Sequence, residues 1–135
     1  IHLSFLLSSL SKFEDLEIWQ KAREICRIVY ETKKNTNLKN DFKLYNQLNG
    51  SSGSIMDNIA EGFERNGNRE FIQFLSIAKA SCGETRSQLY RAFDRGYLND
   101  DDFEDFKTKV ISLSRQINGF IDYLQKSDFK GTEFK

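Results

Sequence analysis

Glu61 and Glu84 are the residues of this chain whose setting comes nearest to a chemical site. Glu61 recurs at spacings of 3 and 4 with Ser51, Ser54, Asn58 and Arg65, and Glu84 does so with Ser81, Gln88, Arg91 and Arg95. On α-helices each set forms one polar stripe. Two acids facing one open pocket could divide proton transfer between them, one with a raised pKa. The same side chains could instead satisfy one another, because buried polar groups without partners are costly. We adopt the second reading. Ser54, Asn58, Glu61, Ser81, Glu84 and Gln88 are expected to form a structural polar seam, with no catalytic residue.

Other chemistries are poorly supplied. The single histidine, His2, lies in a segment not expected to be well ordered, so Cys–His nucleophilic catalysis is not expected. Both cysteines sit among apolar neighbours and read as buried, reduced thiols. A di-metal carboxylate site in a helical bundle needs Glu-x-x-His on two helices, which one histidine cannot provide. No cysteine or histidine pair has zinc-ligand spacing, and no phosphate-binding glycine loop or dinucleotide fingerprint is present. No metal and no cofactor are expected.

The elements that must position these stripes are helical. Proline is absent and no alternating strand pattern occurs among the 135 residues. A first helix is expected over 13–34, on Ile18, Ala22, Ile25 and Val29, followed by an Asn-rich loop. A second over 41–66 carries Leu48, Ser52, Ile55 and Ile59 and stops at Asn66-Gly67. Asn68 should cap a third, with Phe71, Leu75, Ala78, Cys82, Thr85, Leu89 and Ala92 in register, ending at Gly96 in a Schellman turn. A fourth opens on residues 99–102 and carries Phe103, Phe106, Val110, Leu113, Ile117, Phe120 and Leu124. The fold class is therefore all-α, an up-down-up-down antiparallel four-helix bundle. The bundle is assigned to residues 13–126, with a poorly ordered extension over 1–12 and a frayed tail over 127–135. The apolar stretch 1–11 has neither the flanks of a signal peptide nor the length of a membrane span.

Helix-interior glycine costs about 0.5–1 kcal/mol relative to alanine. Gly50, Gly53 and Gly83, with Ser54 and Ala80, therefore imply close backbone approach, either between the second and third helices or between subunits. Twenty basic and twenty acidic residues cancel, so global charge argues for neither nucleic acid nor membrane. Locally, residues 67–98 hold five cations against Glu70, Glu84 and Asp94. Arg65, Arg69, Lys79, Arg86, Arg91 and Arg95 are the candidate nucleic-acid contacts, and oligomerisation would be needed to concentrate their charge.

Several segments resemble the bacterial 23S ribosomal RNA intervening-sequence protein family. They are Phe13, Asp15, Leu16 and residues 18–22; Gln47-Leu48; Ser54-Ile55 with Asn58-Ile59-Ala60-Glu61-Gly62; Glu70-Phe71, Phe74-Leu75 and Ala78; Ser81 and Glu84; and Gly96-Tyr97-Leu98. The likeness spans residues 13–125. It implies a cytoplasmic four-helix bundle that assembles as a homopentamer and has no established enzymatic activity. The accessory variability determinant of diversity-generating retroelements is similar in fold and pentameric form, and binds a reverse transcriptase and nucleic acid. This chain departs from the family pattern in lacking a proline before the second helix, in Asn49-Gly50 where a basic residue is common, and in Ala80 where glycine is usual. The function expected is that of a non-enzymatic homo-oligomeric scaffold or accessory factor for RNA, DNA or a nucleoprotein. The alternatives are an interaction module for a protein encoded nearby, or an enzyme using Glu61 and Glu84.

Overall fold

The computed structural model describes residues 12–65 and 67–130, with side chains to residue 127. Four helices are present: α1 (Glu17–Asn35), α2 (Phe42–Glu64), α3 (Asn68–Asp94) and α4 (Asp100–Lys130). No strand occurs among the described residues. Residues 1–11 of the expected 1–12 extension, residues 131–135 of the expected tail and Asn66 of the expected stop signal lie outside the described residues.

The apolar seams read from the sequence become the core. Ile18, Ala22, Ile25 and Val29 of α1 meet Leu44, Leu48, Ile55 and Ile59 of α2, Leu75, Ala78 and Leu89 of α3, and Val110, Leu113, Ile117 and Leu124 of α4. Burying one such aliphatic side chain contributes about 1.5–3 kcal/mol, so this face of each helix dominates the energetics.

Helix ends differ from expectation where local chemistry intervenes. α1 begins at Glu17, because a 3₁₀ turn over Phe13–Asp15 is followed by Leu16 in an extended conformation. That break lets Leu16 enter the core and sets Phe13 edge-on to Trp19 at 5.2 Å between ring centroids. The Asn-rich connection contains a 3₁₀ turn, Asn37–Asn40, whose Leu38 is fully buried and plugs one end of the bundle. The Thr36 hydroxyl accepts from the Leu38 N–H at 3.1 Å and donates to the Thr32 carbonyl at 2.7 Å. Asn68 does not cap α3. Gly67, at φ 129°, occupies the cap, and buried Asn68 donates from Nδ2 to the Leu124 carbonyl at 3.1 Å. α3 does end in the Schellman pattern, with Gly96 at φ 80° and bonds from Tyr97 N–H to Ala92 O and from Gly96 N–H to Phe93 O. Asn99 caps α4 by accepting from the Asp102 N–H at 2.8 Å. α4 continues to Lys130, past the expected end of the bundle at 126, and Ser127 is buried.

Contacts between helix ends give the chain direction of each pair. Asp41 at the start of α2 meets Arg95 and Tyr97 after α3, and Asn68 at the start of α3 meets Leu124 late in α4. Glu24 of α1 pairs with Lys109 of α4, and Glu17 accepts from Gln116. Each of these pairings is antiparallel. α2 packs on α3 and α3 on α4 more extensively than α1 on α4.

The glycines divide into two kinds. A Cβ on Gly62 would lie 2.7 Å from Phe74 Cβ and 3.0 Å from Phe71 Cδ1, so this is where α2 approaches α3 closely. Gly50, Gly53 and Gly83 have no atom within 4 Å of such a Cβ. They do not serve close approach of α2 to α3, as one of the two expectations had it, because they point away from that interface.

Candidate functional site

The polar stripes of α2 and α3 meet along most of their shared length. At one end Asp41 caps α2 through Leu44 N–H at 3.3 Å, and its other oxygen accepts from the Arg95 guanidinium and the Tyr97 hydroxyl, each at 2.8 Å. The Tyr97 and Arg95 hydrogen bonds hold the Asp41 carboxyl below its ordinary pKa, and the same Asp41 contact pushes the Tyr97 phenol up. Arg91 then donates to Gln47 Oε1 at 2.8 Å. In the buried middle, Thr85 donates to Ser51 Oγ at 2.8 Å and Ser51 to Gln88 Oε1 at 2.6 Å. Next, Ser81 donates to Ser54 Oγ at 2.9 Å, and Asn58 Nδ2 donates to the same hydroxyl at 3.0 Å and to the Ser54 carbonyl at 2.8 Å. The Ser52 hydroxyl turns back to the Leu48 carbonyl at 2.7 Å.

This arrangement specifies register. Sliding α3 along α2 by one turn would strand the Ser81 hydroxyl and the Gln88 amide in a buried interface, at about 1–3 kcal/mol for each group, while Thr85 and Ser51 would fall back on carbonyls of their own helices, Ser81 O at 2.9 Å and Leu48 O at 3.4 Å. The buried middle of the network offers no reaction, because its members are neutral hydroxyls and amides already bonded to each other.

The two carboxylates do not join it. Glu61 is exposed and pairs with Arg65 one turn along at 3.0 Å. Glu84 is exposed as well, and makes no described hydrogen bond or ion pair. Neither lines any of the clefts described below. Of the expected seam, Ser54, Asn58, Ser81 and Gln88 therefore meet between α2 and α3, whereas Glu61 and Glu84 lie on the surface. The reason is angular: Glu61 and Glu84 are at the solvent edges of their stripes, just past the arc that faces the neighbouring helix.

The six candidate nucleic-acid cations also separate. Arg91 and Arg95 are committed to Gln47 and Asp41. Arg65 bonds Glu61 and lies over the Phe74 ring at 5.0 Å. Arg69, Lys79 and Arg86 are exposed and have no carboxylate partner among the described residues. Lys79 and Arg86 flank an open groove of about 510 Å³ between α3 and α4, floored by Val110 and Ile121 and walled by Ala80, Gly83 and Ser114. A second open cleft of about 470 Å³, between α1 and α2, is lined by Arg23, Cys26, Arg27, Tyr30, Glu31 and Met56.

Cys82 is buried, and desolvation pushes its thiol up to about 12 despite the nearby Arg86. Burial raises Cys26 too, against a hydrogen bond with Ser52. Both thiols therefore stay protonated at neutral pH, which makes them poor nucleophiles and poor metal ligands. No group of acid, cysteine or histidine side chains with metal-binding geometry occurs among the described residues. No described helix is long and apolar enough to cross a membrane.

The profile of the 23S rRNA-intervening sequence protein family matches residues 14–119, from the turn before α1 to the last third of α4. The chain belongs to that family. Among solved structures it is similar to a protein of unknown function from the S23 ribosomal protein family of Bacteroides thetaiotaomicron, at a TM-score of 0.70 and 25% identity. That similarity covers 77% of this chain and 97% of the other. No functionally curated protein matches the chain.

Two features escaped the sequence reading. The Asp41–Arg95–Tyr97 junction was signalled in part, since Asp41 precedes a helix and Tyr97 follows a Schellman glycine, but nothing local says that these ends meet. Gly62 belongs to the family-like segment, yet its spacing alone does not distinguish it from outward-facing Gly50 and Gly53.

Proposed function

We propose that this protein is a homo-oligomeric helical scaffold, a pentamer as its family resemblance implies, acting in the cytoplasm as an accessory factor for RNA or a nucleoprotein. The observation that carries the assembly is the placement of its glycines. Gly50, Gly53 and Gly83 weaken α2 and α3 without any packing gain inside one chain. A neighbouring subunit would supply that gain. The RNA part is supported by the names of the family and of its structural neighbour, one referring to 23S rRNA and the other to a ribosomal protein. Within one chain Arg69, Lys79 and Arg86 are the candidate cations without a carboxylate partner among the described residues, and a ring would repeat at each subunit those that it leaves exposed. The polar seam joins α2 to α3 instead of forming a pocket, which favours a binding role over catalysis by Glu61 and Glu84.

Sedimentation velocity of the purified protein tests the assembly, which predicts a mass several times that of the 15.8 kDa chain. A monomer at all accessible concentrations would remove it. Mobility-shift assays with structured rRNA fragments and single-stranded DNA, at low and moderate salt, test the second part. Retention that weakens with salt is expected, and its absence at low salt would remove the nucleic-acid role.

A further inference from the structure

The outer face of α2 and the groove between α3 and α4 are complementary in shape and charge. Gly50, Gly53, Asp57, Glu61 and Glu64 recur at spacings of 3 and 4 along the outer side of α2, with half-buried Ala60 at the edge of that face where it also touches the core. That face is small and acidic: neither Gly50 nor Gly53 has an atom within 4 Å of a built Cβ, and Asp57 and Glu64 are exposed with no cationic partner among the described residues. The groove is small and basic. Ala80 and Gly83 form its α3 wall, Val110 and Ile121 its apolar floor, and Lys79 and Arg86 stand along it without carboxylate partners. Asp57 and Glu64 are seven residues apart, as are Lys79 and Arg86. At about 1.5 Å rise per residue both pairs span about 10.5 Å, so two carboxylates on one helix match two cations on the other.

We infer that the α3–α4 groove receives the α2 face of a second copy of this chain. The inference rests on the assembly proposed above and assigns its contact surfaces. In an antiparallel register, Asp57 meets Arg86 and Glu64 meets Lys79. The same register sets Ala60 against Gly83 and Gly53 against exposed Tyr90. The small residues let the third helix lie deep between α3 and α4, and the four charges fix its position. The two surfaces differ, so the contact is head-to-tail and each subunit uses one surface toward each neighbour, as a closed ring requires. Lys79 and Arg86 are then occupied within the ring, leaving Arg69 as the cation of the original set still free for phosphate.

Charge reversal tests the pairing in the full chain. One variant carries Lys79→Glu and Arg86→Glu, a second carries Asp57→Lys and Glu64→Lys, and a third carries all four changes. All four sites are exposed, and circular dichroism checks that helicity is kept. Sedimentation velocity should show each two-site variant dissociating, with association weakened by about 30-fold or more. The four-site variant should return to the wild-type mass, because reversed partners attract again. Two-site variants that keep the wild-type mass would overturn the contact, as would a four-site variant that stays dissociated. Unchanged mass with lost RNA retention in the Lys79/Arg86 variant would also overturn it, making the groove a nucleic-acid site. A monomeric wild type would instead remove the assembly itself. Should a reversal lower helicity, Lys79→Ala with Arg86→Ala gives the same reading, and retained mass in that variant would count against the contact.

Discussion

Gly62→Ala isolates a close approach of α2 to α3. In an unconstrained helix this change stabilises by about 0.5–1 kcal/mol, through the lower backbone entropy of alanine in the unfolded chain. Here the new Cβ would lie 2.7 Å from Phe74 Cβ, 3.0 Å from Phe71 Cδ1 and 3.4 Å from the Phe71 carbonyl oxygen. Carbon atoms in contact settle at about 3.5–4.0 Å, so α3 must retreat by about 1 Å. Phe74 cannot relieve this by rotating, because its Cβ is fixed to the backbone, so the backbone of α3 itself must shift. Overpacking of this kind costs about 1–3 kcal/mol, which exceeds the helix gain. Net destabilisation of about 1–2 kcal/mol is expected, or a drop in Tm of roughly 3–8 °C for a chain of this size. Gly119→Ala is the control. It lies inside α4 with nothing within 4 Å, so it should raise Tm by a few degrees. Thermal unfolding followed by circular dichroism reads both variants. A Gly62→Ala protein as stable as Gly119→Ala would refute the close-approach reasoning.

The buried hydroxyl chain should behave as a coupled unit: in a double-mutant cycle, Ser51→Ala and Thr85→Val should show coupling of about 0.5–1.5 kcal/mol in urea unfolding, whereas simple additivity would mean that their 2.8 Å contact contributes nothing. The Asp41 junction should show in acid. Its folded pKa is depressed by Tyr97 and Arg95, so its contribution is complete above the ordinary carboxylate pKa and disappears as pH falls through the folded value. The Tm difference between the wild type and Asp41→Asn should accordingly be constant near neutrality and shrink below about pH 4; a difference independent of pH would contradict this. Leu113→Ala, at a fully buried site on α4, should cost about 2–5 kcal/mol, and a loss under 1 kcal/mol would mean that the core closes around the gap.

Helix identity was legible because it depends on local periodicity. The seam from Phe103 to Leu124 needs no partner to be recognised, and neither does the Schellman end at Gly96, where backbone geometry and residue type coincide. The ends of α1 and α3 were less legible. Leu16 leaves the helical path to fill the core, and Asn68 turns from its own backbone to the Leu124 carbonyl, a partner 56 residues away. The stripes carrying Glu61 and Glu84 lie on α2 and α3. Which members turn inward depends on a few tens of degrees of helix rotation, a quantity set by packing.

The sequence by itself determined four amphipathic helices, their order, the apolar seams that join them and the family to which they belong, since all of these are written in spacing and residue type. Tertiary structure alone decided which polar side chains meet, which cations remain free, and that Gly62 faces Phe71 and Phe74 while Gly50, Gly53 and Gly83 face outward. Those outcomes depend on the distance and rotation between helices, which are fixed when the whole core closes at once and have no counterpart in any single stretch of chain.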